Sequence, residues 1–220
     1  FYGLRIKSDR ILFIIDISRS MEKKTENKNP KDAWKPAPAV TGDGDAPPPP
    51  PPPEVILSGP KINVAKLEVQ KAIKKLPKDT TFNIVAFNSV AKQWKLKPTM
   101  VKASDKNKED AYKWIRSLKP FGSTYIDGAL RLGFRIAGLE NFDKAYPDIR
   151  VDTIVLLSDG APTDNAFNAK NMDPQIILDH VKEWNKHQHV VIHTVGVDMV
   201  EGIEFLKKLA EQNGGVYVDR

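Results

Sequence analysis

A short, unbroken apolar run near the start of the chain constrains the fold more than any other stretch. Ile11 to Ile15 are all apolar, and Asp16, Ser18 and Ser20 follow them directly. A run of this length is typical of a strand buried on both faces, as in a parallel sheet. Because ligands of open α/β sheets bind at the carboxyl ends of strands, a carboxylate and two hydroxyls are expected at one sheet edge. We interpret them as ligands of a hard divalent cation.

The later segments alternate between strand-like and helix-like patterns. Strands are predicted over 81–87, 92–98, 152–157, 190–197 and 216–218, with a further short edge strand over 2–7. Helices are predicted over 62–76, 107–118, 125–137, 174–186 and 203–212. This alternation predicts an α/β fold with a doubly wound, mostly parallel six-stranded sheet and helices on both of its faces.

The composition changes sharply between the first strand and the first helix. Residues 22–59 are rich in Lys, Asn, Pro, Gly and Asp, and positions 47–53 are seven consecutive prolines. Such a segment buries too little apolar surface to fold alone, and the proline run favours an extended polyproline II rod. We interpret 22–59 as a disordered or extended insertion in a single domain spanning 1–220. A ligand for an SH3- or WW-like domain is the alternative, although no PxxP motif with a nearby Arg supports it.

Composition excludes several classes of site. The chain has no Cys, which excludes disulfides, thiolate zinc sites and cysteine nucleophiles within it. No apolar run approaches the length of a membrane span. Because the sequence begins at Phe1 with no signal-peptide pattern, we expect it to be part of a longer protein.

The positive charge is unevenly distributed along the chain. The net charge is +6, yet residues 61–119 carry 15 Lys and Arg against 5 Asp and Glu, whereas residues 140–220 carry 8 against 14. We interpret these runs as solvated helix faces, with attraction of an acidic partner as the alternative. A nucleic-acid partner is not expected, because the basic residues are nearly all Lys and the aromatic residues are scattered.

Two later positions repeat the chemistry of the opening stretch. Thr124 lies on a Gly-Ser loop just before a predicted helix, and Asp159 lies at the carboxyl end of a predicted strand. With Asp16, Ser18 and Ser20 they form a set of five oxygen ligands. Such a set suits one Mg²⁺ ion, or Mn²⁺, or Ca²⁺ with looser geometry. Each hydroxyl taken alone would equally fit a helix cap or a loop hydrogen bond.

Three motifs follow one another along the chain: DISRSM at 16–21, GST at 122–124 and SDGAPT at 158–163. In this order they resemble the metal-ion-dependent adhesion site (MIDAS) of the von Willebrand factor type A (VWA) domain family. The resemblance covers about residues 10–218, apart from the insertion at 22–59. It implies a Rossmann-like doubly wound sheet with one antiparallel edge strand, which we place at 92–98. The family also has a helix after the last strand, which we expect to be missing from residues 1–220.

The resemblance further implies a function in adhesion-type protein interaction rather than catalysis. Ser18, Ser20 and Thr124 would contact the ion directly, and Asp16 and Asp159 would act directly or through water. A Glu or Asp carboxylate from a partner protein would fill the open coordination position. An extracellular or cell-envelope location is favoured on the same ground.

Two further residues are close in sequence to the proposed ligands. Arg19 stands where the family usually has Gly, so its side chain would shield the ion, pair with an incoming carboxylate or simply face solvent. Asp127, three residues after Thr124, is expected to brace the loop from behind the ligands.

Two other functions are alternatives. A Mg²⁺-dependent hydrolase would use Asp16 as a phosphoaspartyl nucleophile, but Ser18 stands where a second Asp is expected, and no phosphate-binding Gly-rich loop is present. A structural or regulatory subunit would keep the ion as a fixed scaffold. Among the histidines, His187 and His189 are interpreted as exposed, and His193 as a hydrogen-bonded core residue rather than a triad member.

Overall fold

The computed structural model describes residues 8–25, 59–97, 99–138, 151–164, 170–199 and 201–220. Its strands are β1 (Arg10–Asp16), β2 (Thr81–Phe87), β3 (Ala91–Gln93), β4 (Val101–Lys102), β5 (Thr153–Ser158), β6 (Val191–Gly196) and β7 (Tyr217–Asp219). Its α-helices are α1 (Lys61–Lys75), α2 (Asp105–Ser117), α3 (Ile126–Ala137), α4 (Pro174–Asn185) and α5 (Ile203–Gln212). The predicted strand at 2–7 and residues 26–58 of the insertion lie outside the described residues.

The strands form one mostly parallel sheet in the order β3–β2–β1–β5–β6–β7. β1 pairs in parallel with β2 on one side and with β5 on the other, and β6 and β7 continue the parallel ladder. The predicted α/β class and mostly parallel sheet are therefore confirmed. Within the described residues, no helix combines the length and apolarity needed to cross a membrane.

Helices cover both faces of the sheet. Alternate residues of the central strand point to opposite faces, so they pack against different sets of helices. Phe13 packs in one apolar cluster with residues of α1 and α2, including Val69 and Ile115. Ile14 packs in a second cluster with residues of α3, α4 and α5, including Phe134. The unbroken apolar run of β1 thus follows from its position at the centre of a two-sided core.

The antiparallel edge is shorter than predicted and is divided in two. The expected strand over 92–98 ends at Gln93, and β4 pairs with the beginning of β2 further along the same edge. The fully buried amide of Asn83 explains the break, since its Nδ2 donates to the Lys95 carbonyl at 2.9 Å and its Oδ1 accepts from the Lys95 N–H at 3.2 Å. The edge position therefore holds two short strands, so the sheet has seven strands within the described residues, against the six predicted.

The order of the strands creates a topological switch point between β1 and β5. The chain moves from β1 to β2 on one side, and later from β5 to β6 on the other. The carboxyl ends of two such diverging strands leave a crevice in which α/β proteins bind ligands. Asp16 ends β1 and Ser158 ends β5, so both border this crevice.

Candidate metal centre

Asp16 is held in a fixed position at the base of the crevice. Its side chain is fully buried, and both carboxylate oxygens accept hydrogen bonds. The Ser18 backbone N–H donates to Oδ1 at 2.7 Å, and the Ser158 hydroxyl donates to Oδ2 at 2.6 Å. Asp16 therefore fixes the turn that follows β1 and ties that turn to the end of β5.

The side chains of Ser18, Ser20 and Asp159 form a connected row of oxygen atoms. The Ser18 and Ser20 hydroxyl oxygens are 3.0 Å apart, and the Ser20 hydroxyl donates to Asp159 Oδ1 at 2.6 Å. A short 3₁₀ turn over Arg19–Glu22 brings the two serines to the same side. Residues 139 positions apart are thus brought into direct contact, as the motifs predict.

Thr124 lies on the neighbouring loop before α3. Its backbone N–H donates to the Thr163 hydroxyl at 3.0 Å, and its carbonyl accepts from the Thr163 N–H at 2.9 Å. The same loop is joined to the turn after β1, because the Arg19 N–H donates to the Gly122 carbonyl at 3.0 Å. All three predicted motifs therefore meet at one end of the sheet.

A second row of contacts supports the 122–124 loop from the β2–β3 side. The Ser89 hydroxyl lies 2.9 Å from the Ser123 hydroxyl and accepts from the Ser123 N–H at 3.1 Å. Gly122 has φ +77°, and a Cβ there would lie 2.7 Å from Ser89 Oγ. Only glycine fits this close approach without strain.

Lys61 introduces a cation that the sequence analysis did not place at the centre. Its side chain is 8% exposed, and its Nζ lies 3.2 Å from Asp159 Oδ2. The same Nζ donates to the Asp198 carbonyl at 2.8 Å and lies 3.9 Å from Asp198 Oδ2. Lys61 is the first residue of α1 and joins that helix to the loops after β5 and β6.

The two further residues that the sequence singled out lie on either side of the centre. Arg19 is exposed, and its backbone is fixed by Gly122. Asp127 is buried, and its Oδ1 lies 2.8 Å from His180 Nδ1 on α4. The described hydrogen bond of Asp127 therefore joins α3 to α4, and a role in bracing the Thr124 loop stays a prediction.

The electrostatics of the centre favour a bound cation. Burial, followed by the nearby Asp159 carboxylate, raises the pKa of Asp16 to about 7, despite opposing hydrogen bonds from Ser158 and Ser18. A cation beside the Asp16 carboxylate would offset the burial and the repulsion that disfavour its ionised form.

The donor set fits a small, hard divalent ion. Adjacent oxygens around Mg²⁺ lie about 3.0 Å apart when each bond is about 2.1 Å long, close to the separation of the Ser18 and Ser20 hydroxyls. Asp159 Oδ2 is buried and accepts no hydrogen bond from the described residues, and the cation that faces it is the Lys61 ammonium at 3.2 Å. In the described part of the chain, no group of three or more His, Cys, Asp or Glu side chains is placed so that it could hold a metal ion.

Sequence reasoning missed three residues that shape the centre: Lys61, Ser158 and Thr163. Lys61 precedes Ala65 and Val69 at helical spacing, so the pattern could have indicated that Lys61 lies on the buried face of α1. Ser158 and Thr163 lie inside the third motif, but the sequence alone did not show which partners they bond.

The histidines lie away from the centre's oxygen ligands. His187 and His189 are exposed, as expected. His193 is half-buried in β6, and its Nδ1 accepts a hydrogen bond from the Val216 N–H at 3.1 Å. The predicted hydrogen bond of His193 is therefore confirmed, although its side chain is less buried than expected.

Comparisons with known proteins agree with this architecture. The VWA domain family matches residues 55–219, a range that includes Thr124 and Asp159 but begins after the first motif. Inter-alpha-trypsin inhibitor heavy chain 4 of Mus musculus is 30% identical over 160 residues, which are 73% of this chain and 16% of that protein. Von Willebrand factor A domain-containing protein 3A of Homo sapiens is 28% identical over 139 residues, covering 61% of this chain and 10% of that protein.

A solved structure extends the likeness to the whole fold. A von Willebrand factor type A structure from Catenulispora acidiphila covers 97% of this chain and 39% of that chain, with a TM-score of 0.60 and 18% identity. The matched segments of the two sequence relatives described above make up only 16% and 10% of the lengths of those proteins. From the matched range and the sheet topology together, the chain belongs to the von Willebrand factor type A domain family.

Proposed function

We propose that this domain binds a partner protein through a divalent cation. One observation carries the proposal. Ser18, Ser20 and Asp159 form a connected row of oxygens at the switch point, where Asp159 Oδ2 accepts no hydrogen bond from the described residues and faces the Lys61 ammonium at 3.2 Å. Domains of this family are generally protein-interaction modules, which agrees with a binding role.

The ligand roles follow from how each side chain is held. Ser18, Ser20 and Thr124 would hold a Mg²⁺, Mn²⁺ or Ca²⁺ ion through their hydroxyls, with Asp159 beside them. Asp16 already accepts two hydrogen bonds, so it would act mainly by orienting the turn or through water. Because hydroxyl ligands leave more positive charge on the ion than carboxylates do, the ion would attract a Glu or Asp carboxylate of the partner.

Arg19 would add to this attraction. Its side chain is exposed while its backbone is fixed beside the 122–124 loop. An exposed guanidinium next to a bound cation can form a charge-assisted pair with the same incoming carboxylate. We therefore place Arg19 in the partner-binding surface rather than among the ligands of the ion.

The geometry argues against the hydrolase alternative. An aspartyl nucleophile needs an accessible, ionised oxygen. Asp16 is fully buried, both of its oxygens are engaged, and its pKa is raised to about 7. We therefore propose a non-enzymatic role.

Calorimetric titration of Mg²⁺ or Mn²⁺ tests the ion site. Thr124→Ala removes a proposed ligand, whereas Ser123→Ala removes the adjacent hydroxyl, which contacts Ser89 instead. We expect roughly tenfold weaker ion binding for Thr124→Ala, from the loss of one direct ligand, and little change for Ser123→Ala. Equal binding by all three proteins would contradict the proposed ligand set.

Selection from a random peptide library in Mg²⁺, with elution by EDTA, tests the partner chemistry. The enriched peptides should carry an Asp or Glu whose replacement by Asn or Gln abolishes binding. Enrichment of peptides that stay bound in EDTA would instead favour a structural or regulatory subunit with a fixed ion.

We also infer an extracellular or cell-envelope location, on the ground of the family resemblance. Fractionation of the source cells, with detection of the native protein by an antibody, tests this location. Recovery in the cytoplasmic fraction alone would contradict it.

A further inference from the structure

Lys61 places a positive charge beside the proposed ion site, although it is not one of the proposed ligands. Its ammonium is nearly enclosed, and it lies 3.2 Å from Asp159 Oδ2. Lysine is almost never buried without a partner, because removal of an ammonium from water is costly. The partners here are Asp159, a proposed ligand of the ion, and Asp198, through its carbonyl at 2.8 Å and its carboxylate at 3.9 Å.

We propose that Lys61 is a built-in counter-cation that weakens divalent-ion binding and prevents the loaded centre from keeping a net negative charge. This inference rests on the proposed ion site. With their carboxylates ionised, Asp16, Asp159 and Asp198 contribute −3, and Lys61, which lies 3.2 Å from Asp159 Oδ2 and 3.9 Å from Asp198 Oδ2, brings the total to −2. A divalent ion then gives a neutral centre, whereas without Lys61 the same ion would leave a charge of −1.

The backbone around Lys61 holds the ammonium in place. The Lys61 N–H donates to the Lys23 carbonyl at 2.9 Å, and the Thr25 N–H donates to the Gly59 carbonyl at 2.9 Å. These two bonds join the chain on either side of residues 26–58. The position of Lys61 is therefore fixed by the same contacts that bring the two ends of the insertion together.

The two carboxylate oxygens of Asp159 have different partners. Its Oδ1 accepts from Ser20, and its Oδ2 faces Lys61. A divalent ion would compete with Lys61 for the negative charge of this carboxylate. Removal of the ammonium charge should therefore raise the affinity of the centre for the ion.

Titration of Mn²⁺ at pH 7.5 into the 220-residue chain and its variants tests the inference. Lys61→Met removes the charge and keeps most of the side-chain volume. Lys61→Gln also removes the charge but retains a donor for the Asp198 carbonyl, and it serves if Lys61→Met fails to fold. Lys74→Met is the matched control, because Lys74 is an exposed lysine on the same helix.

We expect the Lys61 variants to bind Mn²⁺ roughly tenfold more tightly than the wild type, from the loss of one nearby positive charge. The Lys74→Met control should match the wild type. Circular dichroism and thermal unfolding in EDTA establish that each variant is folded, and added Mn²⁺ should raise the unfolding temperature more in the Lys61 variants.

The possible outcomes distinguish a failure of this inference from a failure of the proposed function. Equal or weaker Mn²⁺ binding by a folded Lys61 variant would overturn the role of Lys61 and leave the ion site standing. Binding by the Lys61 variants but not by the wild type would support the counter-cation and overturn metal-dependent binding by the natural chain. No binding by any protein would overturn both.

Discussion

The Ser158 hydroxyl donates a 2.6 Å hydrogen bond to Asp16 Oδ2, and this bond joins the carboxyl ends of two neighbouring parallel strands. Both side chains are fully buried. The carboxylate that anchors the candidate centre is therefore an internal part of the sheet, and its ionisation affects the stability of the whole fold.

Asp16 should make the ion-free protein less stable as the pH rises. Its pKa is about 7 in the folded protein against 3.8 for the ordinary side chain, so the folded state binds the proton more tightly than the unfolded state. The resulting stabilisation is present below pH 4 and is lost as the pH rises through 7. Between pH 5 and pH 8 it amounts to about 2–3 kcal/mol.

Urea unfolding in EDTA at these two pH values measures the effect. Asp16→Asn cannot ionise, so the difference in unfolding free energy between wild type and variant should shrink towards pH 8. A constant difference at both pH values would show that the Asp16 carboxyl does not titrate in this window.

His193 should act in the opposite direction. Burial lowers the pKa of His193, and its Nδ1 accepts a hydrogen bond from the Val216 N–H, which requires an unprotonated nitrogen. The unfolded state then binds the proton more tightly, so this contribution is present above pH 6.5 and is lost as the pH falls through the lowered pKa.

The change His193→Gln should therefore flatten the acid side of the stability profile, measured by urea unfolding from pH 7.5 to pH 5. His187→Gln is the control, because His187 is exposed. NMR titration of the imidazole signals gives a direct check, and a His193 pKa at or above that of His187 would contradict the prediction.

Thr163 should control the position of Thr124. The change Thr163→Val removes the acceptor of the Thr124 N–H and should cost about 1 kcal/mol of unfolding free energy. Mn²⁺ binding should weaken as well, because the loop that carries a proposed ligand loses one of its two bonds to Thr163. Thr163→Ser keeps the hydroxyl and should restore both stability and ion affinity, measured by thermal unfolding and calorimetry.

Gly122 should be intolerant of a side chain for two separable reasons. Its left-handed backbone alone would cost an alanine about 1–2 kcal/mol, and the added Cβ would also collide with Ser89 Oγ. Gly214 is the matched control, since it has φ +66° and open space around it. Gly122→Ala should therefore lose more unfolding free energy than Gly214→Ala, and only Gly122→Ala should weaken ion binding.

Most of the fold was predictable from the sequence, because its patterns are local. The apolar run of β1 indicated a buried strand, and the bounds of β2 and α5 match those predicted. The Asp173-Pro174 pair marked the start of α4, where the Asp173 side chain accepts from the Gln175 N–H at 2.9 Å. The division of the edge strand was not predictable, because it depends on where the buried Asn83 amide finds partners along the adjacent chain.

The candidate centre was predictable only in part. Motif order indicated which residues would meet, and the structure places Ser18, Ser20 and Asp159 in contact. The partnership between Lys61 and Asp159 joins residues far apart in the chain, and none of the other lysines of α1 is buried. Similarly, no local pattern links Asp127 to His180 across the gap between two helices.

The hydrogen bonds that close the chain at Thr25 and Gly59 define a graft point in the fold. The strands around this closure pair with one another, and the helices pack on them. A segment inserted here therefore need not supply any part of the core. We expect other sequences in place of residues 26–58 to leave the register of the described strands unchanged. Any epitope, tether or recognition segment placed there would be held beside Lys61 and the candidate centre, which makes this position a natural place to alter what the domain binds.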